Sequence, residues 1–229
     1  MNEKPDVVFF DMDHTLIDND CDVSWKEFLI DEGLADPSEH EDMYRYWRLY
    51  YEGNLPAEEY LRFQLAQFAG RTPDEMCELT RRHFELRVRD RVFPEVWGIL
   101  ERLRAEGVPT VMLTATNRPV AEPLAAYLNL TDLIATELEI VEGRYTGRIV
   151  GQYNLAEGKF VLSSRYAAQH GYDLARAVYY GDSIPDVAML ERVGYPVVVN
   201  PGEEMERVAR ERNWPIERWR LDEMKDKNL

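Results

Sequence analysis

Four aspartates stand where two short apolar runs break off. Asp11 and Asp13 follow Val7–Phe10, two residues apart, in Asp-Met-Asp-His-Thr. Asp182 follows Ala177–Tyr180 and Gly181, and Asp186 comes four residues later. Carboxylates this close repel one another unless a proton or a cation compensates. A hard divalent cation such as Mg²⁺ does so, because it prefers carboxylate, carbonyl and water oxygens. A single aspartate at a strand end commonly caps the next helix. Four of them on two apolar runs, with Asp186 one helical turn beyond Asp182, point instead to one shared site. Thr114 and Ala115 end a third apolar run. A hydroxyl and an amide N–H there suit a phosphate oxygen or, read alone, a helix cap. Lys159 opens a helical stretch after Gly158. A cation is required where a phosphate and several carboxylates crowd together.

The elements that position these residues follow from hydrophobic periodicity. Val7–Phe10, Thr110–Leu113, Ala177–Tyr180 and Pro196–Val199 read as buried strands, with Leu133–Thr136 a further short one. Helical spacing separates them at Pro94–Ala105, Pro119–Leu128, Lys159–Gln169 and Asp186–Val193. Buried strands alternating with helices predict an α/β fold, a Rossmann-like parallel sheet sandwiched by helices. Ligands in such sheets bind beyond the carboxyl ends of the strands. Two stretches break the rhythm. Residues 18–91 have no convincing strand, are rich in aromatics, and are punctuated by Gly33, Pro37, Gly53, Pro56, Gly70 and Pro73. They predict an inserted, all-helical domain of four or five helices. Leu138–Gln152, with Glu142-Gly143-Arg144 between β-prone runs, predicts a β-hairpin flap. The expected division is an α/β core of residues 1–17 and 92–229 and a helical cap of residues 18–91. The tail from Asp222 is charged and expected to fray.

Bulk properties narrow the function further. A chain of 229 residues holds one full core plus a small insertion. Lys and Arg number 27 against 43 Asp and Glu, a net charge of −16. That field repels nucleic acid and anionic membranes, so the expected partner is a small molecule. No apolar run approaches the roughly 20 residues that span a bilayer. Cys21 and Cys77 show no metal-binding spacing, nor do His14, His40, His83 and His170. The polar stretch Met1–Asp6 lacks the apolar centre of a signal peptide, so a cytoplasmic monomer or homodimer is expected.

Taken together, Asp-Met-Asp-His-Thr-Leu from Asp11, the apolar run ending in Thr114, Lys159, and Gly-Asp-Ser-Ile-Pro-Asp from Gly181 resemble a known set. They are similar, in order and spacing, to the four motifs of the haloacid dehalogenase superfamily of phosphohydrolases. The insertion between the first two motifs looks like the cap of the subgroup of phosphoserine-phosphatase-like and histidinol-phosphatase-like proteins. The resemblance implies a Mg²⁺-dependent phosphomonoesterase in which Asp11 is the nucleophile and forms an aspartyl-phosphate. It implies that Asp13 protonates the leaving alkoxide and then serves as base for water. It implies Mg²⁺ held by Asp11, the Asp13 carbonyl and Asp182, phosphate held by Thr114, Ala115 and Lys159, and Asp186 orienting Lys159 or a metal-bound water. Phosphoserine phosphatases place an acidic substrate-contacting residue nine positions after the nucleophile, and Asp20 occupies that position here. Asp20 and Asp22 beside Trp25 suit an ammonium or imidazolium group, hence an amino-alcohol phosphate such as histidinol phosphate or phosphoserine. Three departures argue against phosphoserine itself. Thr114-Ala115-Thr116 replaces Ser-Gly-Gly, Gly181-Asp182-Ser183 replaces Gly-Asp-Gly, and Gln64 falls where the carboxylate-binding arginine of the cap is expected. A phosphotransferase would use the same residues, whereas a non-catalytic phospho-acceptor or scaffold would need neither Asp13 nor the cap.

Overall fold

The computed structural model describes residues 4–221; the charged tail from Asp222, and the first three residues, lie outside them. The chain begins with β1 (Val8–Phe10), three residues with no exposed side chain. Four helices follow: α1 (Cys21–Asp31), α2 (Glu39–Tyr51), α3 (Ala57–Leu65) and α4 (Pro73–His83). A π-helical turn (Phe84–Val88) and a 3₁₀ turn (Arg89–Arg91) lead to α5 (Pro94–Ala105). Then come β2 (Thr110–Asn117), α6 (Arg118–Tyr127), β3 (Asp132–Thr136), β4 (Leu138–Val141) and β5 (Arg144–Ile149). The rest is α7 (Glu157–His170), β6 (Val178–Gly181), α8 (Val187–Leu190), β7 (Tyr195–Val199), α9 (Glu203–Glu211) and β8 (Ile216–Glu217).

Six strands form one parallel sheet in the order β3-β2-β1-β6-β7-β8, and β4 and β5 form the antiparallel hairpin. The strands read as unbroken apolar runs because both faces of the sheet are covered. Val8, Phe10, Met112, Val178 and Tyr180 enter one core, with α5, α6 and the helices of residues 18–91. Val7, Phe9, Val111, Leu113 and Tyr179 enter the other, beneath α7, α8 and α9. The expected α/β architecture is therefore present.

Several details differ from expectation. β2 runs four residues past Leu113, and its pairing with β3 breaks register between Leu113 and Asn117. The helix expected over Asp186–Val193 is instead a 3₁₀ turn (Ile184–Asp186), opened by Pro185, and only four α-helical residues. Helix α9 was not anticipated because its buried stripe is thin: Met205 and Ala209 in an otherwise charged run.

Residues 18–91 contain no strand among the described residues. Trp25, Phe28, Phe68 and Met76 form their inner packing. Lys26, fully buried, ties three helices together: Nζ lies 2.7 Å from Glu39 Oε2, 2.9 Å from Gln67 Oε1 and 4.0 Å from the Phe63 ring centroid. The two ends of the segment are pinned side by side. Asp18 N–H donates to Arg91 O at 2.8 Å, and Phe93 N–H donates to Leu16 O at 3.1 Å. No described helix is long and apolar enough to cross a membrane.

Candidate active site

The aspartates, Thr114 and Lys159 meet at the carboxyl ends of β1, β2 and β6. These strands are neighbours, and the chain reverses its direction of progress across the sheet there, which leaves a crevice. Lys159, on the first turn of α7, is its fixed charge: Nζ donates to Asp11 Oδ1 at 2.5 Å, Asp186 Oδ1 at 2.6 Å and Tyr179 Oη at 3.2 Å. All three side chains of the Lys159–Asp11–Asp186 group are nearly or fully buried. Burial alone would favour neutral Lys159, but the charges of Asp11 and Asp186 outweigh it and hold the ammonium protonated.

Asp186 has no free oxygen. Tyr179 Oη and Lys159 occupy Oδ1, while Asp182 N–H at 3.0 Å and Ser183 N–H at 3.2 Å occupy Oδ2. Burial works against its ionised form, yet Lys159 and these donors prevail and lower its pKa. Gly181 is required here, since a Cβ would lie 2.8 Å from Asp186 Cγ. At Asp182 the balance is reversed: burial, then Asp186 and Asp11, push its pKa well up in spite of Lys159 and a hydrogen bond from Ser183. Asp11 rises to about 7, mainly through burial and in spite of Lys159. One oxygen each of Asp11, Asp182 and Asp186 lie within 4.8 Å of one another. Three buried carboxylates facing one ammonium leave an excess of negative charge. A hard divalent cation on Asp11 and Asp182, the two with oxygens to spare, fits that excess.

Asp13 is held by other partners. Its Oδ1 accepts from Cys21 N–H at 2.7 Å and its Oδ2 from Thr116 Oγ1 at 3.0 Å. Burial first, then Asp20, Asp11 and Asp22, raise its pKa well above the usual carboxylate range. Thr114 is buried, and its Oγ1 accepts from Thr116 N–H at 3.1 Å.

Above these groups a pocket runs toward the helices of residues 18–91. Asp11, Asp13, Thr114, Ala115 and Asp182 line its floor, and Asp20, Asp22, Tyr46, Trp47, Tyr60 and Tyr153 line its upper part. Among the described residues lining it there is no Lys or Arg. Asp20 also caps α1, accepting from Asp22 N–H and Val23 N–H at 3.1 and 3.0 Å, so helix-capping and pocket-lining coincide in one side chain. Asp22 accepts from Tyr60 Oη, and burial followed by Asp20 raises its pKa to about 6. His14 enters the same wall from a backbone at φ +55°, a conformation uncommon outside glycine.

Trp25 is a correction. It does not line the pocket; it is 1 % exposed and packs on Phe28, Phe68 and His83 with centroids 5.4–5.8 Å apart. Trp47, from α2, provides the aromatic wall and bonds Asp20 through its side chain. Tyr179, Thr116, Tyr60 and Tyr153 were likewise not foreseen. The pleat offered a signal for Thr116, two residues beyond Thr114 on the same strand. For Tyr179, inside a uniformly apolar run, there was none.

The family of haloacid dehalogenase-like hydrolases matches residues 8–191. A histidinol-phosphatase of Neisseria meningitidis serogroup C (strain 8013) is 32 % identical over 215 residues, covering 92 % of this chain and 97 % of that protein. The crystal structure of a protein of unknown function from Bordetella pertussis Tohama I superposes with a TM-score of 0.84 at 32 % identity, over 92 % of this chain and 96 % of that one. A phospho-aspartyl intermediate analogue of phosphoserine phosphatase shares the fold at 17 % identity, with a TM-score of 0.69 over 93 % of each chain. The carboxylates and lysine gathered at the sheet edge thus sit in a chain that matches one family over most of its length and a named phosphatase over nearly all of it, and the protein belongs to the haloacid dehalogenase-like hydrolases, as a phosphatase.

Proposed function

We propose that the protein is a Mg²⁺-dependent phosphomonoesterase for a small amino-alcohol phosphate that lacks a carboxylate, histidinol phosphate being the fitting example. One observation carries this reading. The pocket above Asp11 is walled by Asp20, Asp22 and aromatic rings, with no Lys or Arg among its described lining residues. An ammonium or imidazolium gains acid and aromatic partners there. A substrate carboxylate would meet like charge and no cation, which counts against phosphoserine. The near full-length relative named histidinol-phosphatase supports the same choice.

In this reading Asp11 attacks phosphorus, the bond to the leaving alkoxide breaks, and Asp13 gives the alkoxide its proton. Asp13 then takes a proton from the water that attacks the aspartyl-phosphate, releasing phosphate and regenerating Asp11. The two hydrogen bonds to Asp13 fix its orientation, and its raised pKa keeps the proton available. The Thr114 hydroxyl, the Ala115 N–H and Lys159 hold the phosphoryl oxygens. Asp186 holds Lys159 in place. Asp11, Asp182 and the Asp13 carbonyl would hold Mg²⁺. Bound there, the ion offsets repulsion between the carboxylates and the incoming phosphoryl group. Residues 18–91 act as a cap over a core of residues 1–17 and 92–229, supplying the leaving-group pocket and excluding water.

Phosphate release from histidinol phosphate, phosphoserine, phosphocholine and p-nitrophenyl phosphate, with Mg²⁺ or EDTA, tests the proposal. Histidinol phosphate is expected to exceed phosphoserine in kcat/KM by about tenfold or more. Asp11→Asn is expected to abolish turnover of every ester. A preference for phosphoserine, or turnover surviving in Asp11→Asn, refutes it.

A further inference from the structure

The strand that carries Thr114 loses its regular partner where the site needs it. Pairing of β2 with β3 is in register up to Leu113 and resumes, shifted, at Asn117. The carbonyls of residues 114 and 115 must then find other donors. Two side chains supply them. Asn154, fully buried in the stretch between β5 and α7, donates from Nδ2 to Thr114 O at 2.7 Å and to Ile134 O at 2.8 Å. The hydroxyl of Thr136, 1 % exposed, donates to Ala115 O at 2.6 Å and accepts from Asn154 N–H at 3.4 Å. Two carbonyl partners settle which end of the Asn154 carboxamide is the NH₂.

A trans peptide points its C=O and N–H in opposite directions. Holding Thr114 O from behind therefore aims Ala115 N–H toward the pocket that Ala115 lines. Holding Ala115 O aims Thr116 N–H, which donates to Thr114 Oγ1 at 3.1 Å. With Oγ1 engaged as an acceptor, the Thr114 hydroxyl proton is directed elsewhere, and Thr114 also lines the pocket. Neither Asn154 nor Thr136 is among the pocket-lining residues.

We propose that Asn154 and Thr136 are positioning residues that preorganise the Thr114–Thr116 stretch of β2, so that one amide N–H and one hydroxyl face a phosphoryl oxygen. This rests on the phosphatase reading above and deepens it. The stretch that carries Asn154 is itself closely packed. Gly158 packs so closely that a Cβ would lie 1.9 Å from Tyr153 O, and Lys159 follows directly. One short segment thus sets both the cation and the stretch of β2 opposite it. Preorganised donors matter most where charge develops in the transition state, so their loss is read in kcat and in binding of a transition-state analogue.

The test uses the full chain with p-nitrophenyl phosphate as substrate and orthovanadate and inorganic phosphate as inhibitors. Thr136→Val keeps the side-chain shape and removes the hydroxyl; Thr136→Ser keeps the hydroxyl. Thr136→Val is expected to lower kcat/KM by about tenfold or more and to weaken vanadate inhibition by a similar factor. Phosphate inhibition is expected to change less, and Thr136→Ser to stay within about twofold of the wild type. Asn154→Asp, which turns a carboxylate onto two carbonyl oxygens, is expected to repeat the Val result. A merely structural role would lower Tm and the active fraction while leaving kcat per active site and the vanadate constant of the remaining enzyme unchanged, and that outcome overturns the proposal. So does a Thr136→Val enzyme with wild-type kcat/KM. If wild-type turnover is abolished by Asp11→Asn while Thr136→Val has no effect, the phosphatase reading stands and only the positioning role falls.

Discussion

His83 offers a quantitative test of how the helices of residues 18–91 are packed. The ring is fully buried against Trp25 and Phe28, with Nε2 2.9 Å from Ser24 Oγ, which in turn accepts from Asn19 Nδ2 at 2.7 Å. Nδ1 has no hydrogen-bond partner among the described residues. Protonation would therefore bury a cation with an unsatisfied N–H. Burial, aided by the Arg87 charge, pushes the pKa from 6.5 to about 3. Because the folded state binds this proton more weakly than the unfolded chain, stability is full above pH 6.5 and is lost as pH falls. From these two values the loss is about 2 kcal/mol by pH 5 and about 3 kcal/mol by pH 4. The buried aspartates with raised pKa values act in the opposite sense, so the measurement must be a difference. His83→Gln removes the titration and lowers stability at pH 7 through lost packing. In urea unfolding at pH 7, 6 and 5, its deficit relative to wild type is expected to shrink by about 2 kcal/mol across that range. A deficit independent of pH refutes the buried neutral imidazole. So does an NMR titration of His83 with an ordinary midpoint.

Lys159→Met leaves Asp11 and Asp186 facing each other without their shared ammonium, and is expected to cost about 3–5 kcal/mol in urea unfolding with EDTA present. Two glycine substitutions should have opposite signs. Gly158→Ala drives a Cβ to 1.9 Å from a backbone oxygen and is expected to destabilise by about 3 kcal/mol or more, whereas Gly98→Ala, in α5 with nothing within 4 Å, is expected to stabilise by about 0.5–1 kcal/mol. Thermal denaturation of the pair checks both.

The parts of the site that sequence revealed are those in which chemistry and backbone geometry coincide. A short apolar run that stops abruptly at acidic and glycine residues reads as a buried strand, so the same pattern that marks β1 and β6 places Asp11, Asp13 and Asp182 at their ends. Asp186 followed from one helical turn of spacing, although the turn is 3₁₀ and the helix behind it far shorter than its apolar pattern suggests. What stayed hidden depends on packing between distant segments. Trp25 and Trp47 are chemically alike and lie in the same aromatic-rich stretch, yet one faces the inner core and the other the pocket. Asn154 sits in a stretch with no periodicity, and its importance arises only because β2 breaks step with β3 forty residues earlier.

The pinning of residue 18 to residue 91 has a consequence for the segment between them. Departure and return points are adjacent, so only a short span is needed to keep the chain on either side of the segment connected. One tie crosses to the site itself: Cys21 N–H, at the start of the segment's first helix, holds Asp13 Oδ1 at 2.7 Å. Substitutions among its pocket-lining residues Tyr46, Trp47 and Tyr60 reshape the upper wall and leave in place the hydrogen bonds that hold Asp11, Lys159 and Asp186 together.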